Sequence, residues 1–298
     1  MKILVSTKDM PREEWLQWRK KGIGGSDAAT VLGLNPYSSL LTLYADKLGL
    51  LPEREDNEQM RQGRDLEQYV ADRFMEATGK KVKRLNAMLA HPDHDWMLAD
   101  VDRLVVGEKA LLECKTTSVY NKSDFEGGEI PPYYYVQVQH YLAVTGLPVG
   151  YLAVLVLNRG FYWYQIDADP NEQAALIAAE EKFWTNHVMK QVPPDPDGSE
   201  SSREAALALT CPVGEPVGEA LLYDLDSEIT RLLALQGQIK AMEQDADAIK
   251  QKLMLALGEN AYGRSNVAKV SYLTQYRKEY IVKASVSRVL RITALKGE

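Results

Sequence analysis

The sequence predicts an α/β fold, with a mixed central β-sheet flanked by helices and a mainly helical C-terminal extension. Three observations carry that expectation. Strand-like runs between residues 81 and 116 are bracketed by segments whose apolar residues recur at helical spacing. Two alternating runs, Gly150 to Leu157 and Phe161 to Ile166, flank Asn158-Arg159-Gly160 and read as a β-hairpin. A Pro-, Asp- and Ser-rich tract after Gln191 then separates this mixture from a long charged helical pattern. With 298 residues, 45% of them hydrophobic, the chain has enough apolar surface for a sizeable core.

In chain order, Glu13 to Arg19 is amphipathic, and Gly22, Gly24 and Gly25 break any helix there. Ser26 or Asp27 caps a helix through Leu32, and Ser38 or Ser39 caps another through Leu48. A charged spacer, Pro52 to Glu58, precedes a helix over Gln59 to Thr78 that carries Glu67 on the same face as Val70, Ala71 and Phe74. Lys81 to Leu89, Trp96 to Val106 and Ala110 to Thr116 read as three strands, the last two joined by a turn at Gly107. Pro131 and Pro132 introduce a helix from Tyr133 to Val144, and the hairpin is followed by a helix from Asn171 to Met189. This places a core at residues 1–192, a linker or surface loop at 193–206, and an extension at 207–298. Leu221 to Leu257 reads as one long helix or a hairpin of two, taken in the domain division as a helical hairpin, and Val267 to Ile281 as a strand pair.

Bulk properties exclude several classes. The longest apolar runs fall short of the ~20 residues that cross a bilayer, and residues 1–10 carry no signal-peptide pattern, so a cytoplasmic protein with no membrane partner is expected. Two cysteines, Cys114 and Cys211, build neither a disulfide framework nor a four-cysteine cluster. A net charge of −7 argues against a surface coated in basic residues, although cations held by carboxylates offset phosphate charge locally.

The strongest chemical signal is Asp102 followed by Glu113-Cys114-Lys115 on adjacent strands. Period 2 puts Glu113 and Lys115 on one face of an otherwise apolar strand, where charges are costly unless they meet each other, a metal or a substrate. Asp102, Glu113 and the Cys114 backbone carbonyl supply hard oxygen ligands suited to Mg2+ or Mn2+, with Lys115 beside the attacking water. The plain alternative is a surface ion pair. Glu67 and Gln137 join as polar residues on apolar helix faces, and Gln139 lies two residues beyond Gln137. Asp100 shares its strand face with Asp102 and is a second choice for its role. Arg19 and Ser26 sit by a glycine loop and helix start, where a phosphate or a simple cap both fit.

Asp, turn, Glu-x-Lys is the pattern of the PD-(D/E)xK nuclease superfamily. With Trp15-x-x-x-Arg19-x-x-Gly22-Ile23-Gly24-Gly25-Ser26-Asp27, Gly63-x-x-x-Glu67 and Gln137-Val138-Gln139 in that order, Arg12 to about Lys190 resembles the YqaJ-type viral recombinase family of lambda-exonuclease-like nucleases. The resemblance implies a PD-(D/E)xK restriction-endonuclease-like core and a Mg2+-dependent 5′-to-3′ exonuclease using two ions. It would degrade one strand of linear double-stranded DNA, leaving 3′ overhangs for single-strand annealing. It further implies metal ligation by Asp102 and Glu113, Glu67 acting through water, Gln137 in support, and Arg19 and Ser26 gripping a 5′-phosphate. A ring-shaped homo-oligomer, a trimer, and a single-strand annealing protein as partner come with it. The family's frequent Asp-Gly is Asp102-Arg103 here, and the extension lies beyond the resemblance. Other readings are an endonuclease or RecB-like nuclease of the same superfamily, or an inactive DNA-end-binding scaffold; a Cas4-like enzyme lacks its four cysteines here.

Overall fold

The structure, a computed structural model, describes residues 1–52, 56–118, 125, 128–210, 218–279 and 290–292. It divides into two compact units, Met1–Cys211 and Pro212–Glu298. The first holds two sheets. Strands β1 (Lys2–Ser6), β3 (Ala87–Ala90) and β4 (Leu98–Asp100) form an antiparallel sheet in the order β1-β3-β4. Strands β2 (Val82–Lys83), β5 (Arg103–Val105), β6 (Ala110–Thr117), β7 (Val149–Val156) and β8 (Gly160–Asp167) form a mixed sheet in the order β2-β5-β6-β7-β8. Only β6 and β7 run parallel, and such a pair requires a crossover. Helix α5 (Pro132–Thr145) supplies it, opening with a proline and closing at Gly146 with φ 69°.

Alternation along β6 divides the core. Ala110 and Leu112 face α4 (Glu58–Thr78), meeting Val70, Ala71 and Phe74. Leu111 faces the other way, in the cluster that contains Val138 and Leu142 of α5 and Leu152 of β7. Ahead of these lie α1 (Arg12–Arg19), α2 (Gly25–Val31) and α3 (Leu40–Lys47). After the β7–β8 hairpin, α6 (Pro170–Phe183) continues into a widened π-helical turn, Trp184–Val188.

Five features differ from the sequence expectation. Lys81 to Leu89 is two strands in different sheets, interrupted at Asn86, which has a positive φ of 50°. Trp96 to Val106 also splits: β4 belongs to the first sheet and β5 to the second, so Val101 and Asp102 form the step between sheets. The linker expected at 193–206 becomes helix α7 (Glu200–Thr210) in its second half. Ser201 Oγ lies 2.6 Å from Thr42 Oγ1 and accepts from the Ser39 amide, and Ala205 is buried, so this helix belongs to the first unit. In the second unit the helical hairpin is instead one helix, α8 (Asp226–Leu257), of 32 residues. Gly237 lies inside it at a cost of about 1 kcal/mol relative to alanine, too little to break so long a helix. The strand pair is a short hairpin of β9 (Tyr262–Arg264) and β10 (Lys269–Ser271), displaced toward the N-terminus of the expected Val267 to Ile281; Ile281 and Cys211 lie outside the described residues. Among the described residues no helix is long and apolar enough to cross a membrane.

Candidate active site

The site is built on the step between the two sheets. In the β5–β6 register Arg103 faces Leu112, which leaves Asp102, just before β5, beside Glu113. The Asp102 carboxylate is fixed by the Cys114 amide, which donates to Oδ2 over 2.8 Å. Glu113 and Lys115 share the β6 face that looks toward α5, and their charged atoms are 2.7 Å apart. From α5, Gln137 Nε2 donates to Glu113 Oε1 over 2.7 Å and reaches Tyr141 Oη at 3.2 Å. The other Glu113 oxygen, Oε2, is buried with no hydrogen-bond partner.

Burial dominates the electrostatics. It pushes the Asp102 carboxyl well above its usual range, and neighbouring Glu113 and Glu67 add to the effect. Glu113 is raised by burial too, against the pull of Lys115. For Lys115 burial acts downward, but Glu113 and Asp102 together outweigh it and hold the ammonium above its ordinary value. The Lys115 ammonium also lies 5.3 Å from the centre of the Tyr134 ring. Burial and the two carboxylates push the Cys114 thiol well up, so it remains neutral and serves the site through its backbone.

Glu67 approaches from α4, but its Oε1 is 2.5 Å from Arg103 Nη1 and 3.7 Å from Arg84 Nη2. Arg103 is buried and also donates to the Asp102 carbonyl at 2.7 Å and to Gln68 at 3.1 Å. It clamps Glu67 to the backbone of the step. Asp100 does not share the Asp102 position: its Oδ2 accepts from the Trp15 indole over 2.6 Å.

Arg19 and Ser26 do come together, with Nη2 2.7 Å from Oγ. The helix start itself is taken. Asp27 Oδ2 accepts from the Gly24 amide at 2.9 Å and from Lys47 Nζ at 2.6 Å, and Oδ1 lies 3.2 Å from Arg19. Although burial opposes it, the charges of Lys47 and Arg19 hold the Asp27 carboxyl down at about 2. The glycines here are steric. A Cβ on Gly22 would lie 2.2 Å from the Trp96 carbonyl, and one on Gly25 would lie 2.5 Å from the Tyr141 ring. Gly25 thus lets α2 rest on the turn of α5 that carries Gln137.

Gln139 is not in the cluster. It donates to Tyr135 and to the Asp167 carbonyl, and accepts from the Asp169 amide, tying α5 to the start of α6. A buried pair that sequence reasoning missed lies next to it: His140 Nδ1 is 2.8 Å from Glu180 Oε1, and His140 Nε2 is 2.8 Å from the Leu98 carbonyl. Both side chains are fully buried, and the contact links α5, α6 and β4. The only sequence signal was a histidine and a glutamate in apolar helix surroundings, which are common.

Among the described residues no three His, Cys, Asp or Glu side chains converge as a complete metal-binding group. Two carboxylates do suit a hard divalent cation, one with a buried unpartnered oxygen and both raised by burial. A cation there would find remaining ligands in backbone, water or phosphate.

This arrangement occurs on a fold shared with bacterial exonuclease structures. The alkaline exonuclease LHK-Exo from Laribacter hongkongensis superposes with a TM-score of 0.52 at 22% identity, over 60% of this chain and 94% of that one. Its complex with dAMP gives 0.53 over the same shares. Residues 14–148 match the YqaJ-like viral recombinase domain. YqaJ of Bacillus subtilis strain 168, an uncharacterized protein, is 38% identical over 264 residues, which is 88% of this chain and 83% of that protein. The chain belongs to the YqaJ-like viral recombinase family.

Proposed function

We propose that this protein is a Mg2+-dependent 5′-to-3′ exonuclease with a PD-(D/E)xK core, degrading one strand of linear double-stranded DNA to leave 3′ overhangs. The observation that carries the reading is the convergence of Asp102, Glu113, Lys115 and Gln137, with Glu113 Oε2 buried and unpartnered. Family membership and the alkaline-exonuclease fold support it.

Asp102 and Glu113, with the Cys114 carbonyl, would hold the metal. When bound, a divalent cation polarises the phosphodiester and makes an attacking water acidic enough to react at neutral pH. Gln137 engages Glu113 Oε1 and so leaves Oε2 for the cation. Lys115, kept charged by its carboxylate neighbours, orients the water and balances charge on the phosphate. Glu67, held by Arg103, would support the cation indirectly, through water. Arg19 and Ser26 bind the 5′-phosphate through their side chains, and this end contact sets strand polarity.

The test is digestion of 5′-phosphorylated linear duplex and of covalently closed duplex, each with Mg2+, with Mn2+ and with EDTA. Linear DNA is degraded with either metal, closed DNA stays intact, and EDTA stops the reaction. Lys115→Ala lowers the rate by at least about 100-fold, the loss typical of a group that stabilises developing charge, while binding of the duplex persists. Cutting of closed circles would replace the exonuclease with an endonuclease; undiminished Lys115→Ala activity would remove the site assignment.

A further inference from the structure

Helix α8 spans 32 residues, about 48 Å. Of its residues only Leu257 is buried. Its large apolar side chains stand in the open, among them Ile239 at 51%, Met242 at 62% and Ile249 at 59% exposure. From Leu232 to Ala256 the apolar positions step alternately by three and four residues, the seven-residue repeat of a two-stranded seam.

We propose that α8 pairs with α8 of a second copy of this chain, as an antiparallel coiled coil whose two-fold axis passes between Asp247 and Ala248. In this register the two helices overlap from Gln238 to Leu257, and side-chain sizes complement across the overlap. Ile239 then faces the partner's Ala256, Met242 faces the partner's Leu253, and Ala246 faces the partner's Ile249, so each small residue meets a large one. Parallel in-register pairing stacks Ala246 on its own copy and Ala256 on its own copy, leaving two thin layers, and sets Glu228 against itself.

Charge selects this register among those that complement in size, because a shift of seven residues sets Glu243 and Asp245 against their own copies. On the flanks of the seam Glu243 comes opposite the partner's Lys250, and Asp245 opposite the partner's Lys252; the two-fold repeats both pairs, and no like charges meet. In one copy Lys250 makes only an exposed contact of 2.8 Å to Asp247, which exchanges at little cost. Within the overlap each apolar layer and each charged pair is thus supplied by the same helix twice, as an isologous dimer contact requires, and Leu232 and Leu235 lie outside it.

Sedimentation velocity of the full chain over a concentration series tests the contact. In Lys250→Glu/Lys252→Glu, and likewise in Glu243→Lys/Asp245→Lys, all four flanking pairs become repulsive, and the mass falls to half that of the wild type. Mixing the two variants makes every pair opposite again and restores the wild-type mass. Orientation is read by disulfide trapping in a Cys114→Ser/Cys211→Ser background: Met242→Cys and Leu253→Cys each fail to cross-link alone and cross-link when mixed. Equal masses for wild type and both variants overturn the proposal, and this is the outcome if residues 280–298 of the same chain or a different protein cover the stripe. Cross-linking of Met242→Cys with itself overturns the antiparallel arrangement.

Discussion

Asp102 and Glu113 are the residues on which the site's electrostatics turn, because two carboxylates share one desolvated corner with a single lysine. Without a cation this costs stability, and the sign is set by the direction of the shift. Asp102 binds its proton more tightly in the folded state than at the ordinary 3.8. Its contribution is most favourable below 3.8 and declines as pH rises through the folded value. The metal-free protein is therefore strained at neutral pH, and a divalent cation held as proposed, by the folded arrangement alone, would recover the loss. Asp102→Asn removes the ionisation. Thermal melting in EDTA at neutral pH should show Asp102→Asn a few degrees above the wild type, and Mg2+ should raise the wild type while leaving the variant unmoved. A wild type indifferent to Mg2+ counts against the two-carboxylate site.

Elements place these residues, and some of that placement was legible in the sequence. Period 2 along β6 and the tight turn at Gly107 were enough to bring Asp102, Glu113 and Lys115 together, because a charged pair in an apolar strand has few places to go. The step from β4 to β5 was not legible: Trp96 to Val106 reads as one strand with Asp100 and Asp102 at alternate positions, and nothing in its pattern marks the change of sheet at Val101 and Asp102. Nor was α7, where Ser201 meets Ser39 and Thr42 through hydrogen bonds and the small Ala205 supplies the buried apolar contact. The His140–Glu180 pair shows why partners across 40 residues escape a sequence reading: each half looks like an ordinary helical residue until α5, α6 and β4 meet. Their contact fixes the Leu98 carbonyl, at the start of the strand that leads to Asp100 and the Asp102 step. His140→Ala leaves a buried carboxylate unpaired and should cost about 3–5 kcal/mol in urea unfolding. Replacing both, His140→Phe with Glu180→Leu, should recover most of it, since an apolar pair of similar volume requires no partner. Equal losses for the single and double variants would mean that packing, not the buried charge, is what His140 contributes.

At the scale of the whole molecule, the buried apolar clusters and the candidate site lie in one of the two units. Every buried apolar cluster of the described residues lies before residue 210, within Met1–Cys211, and so do Arg19, Glu67, Asp102, Glu113, Lys115 and Gln137. The extension adds an exposed helix and a short hairpin. Yet the 264 residues aligned with YqaJ exceed the 211 of the first unit, so the relative shares part of the extension too. A segment present in both proteins without contributing core surface fits the proposed α8 pairing. Ending the chain at Cys211 should therefore leave the unfolding free energy within about 1 kcal/mol of the full chain, the range of changes that touch no core feature. Per-site cleavage of linear duplex under single-turnover conditions should persist, while the mass contributed by α8 pairing is lost. Circular dichroism melts and sedimentation of the shortened chain read these outcomes together. A shortened chain that melts far earlier would make the extension part of the fold, and one that keeps the full chain's subunit number would place assembly in the first unit alone.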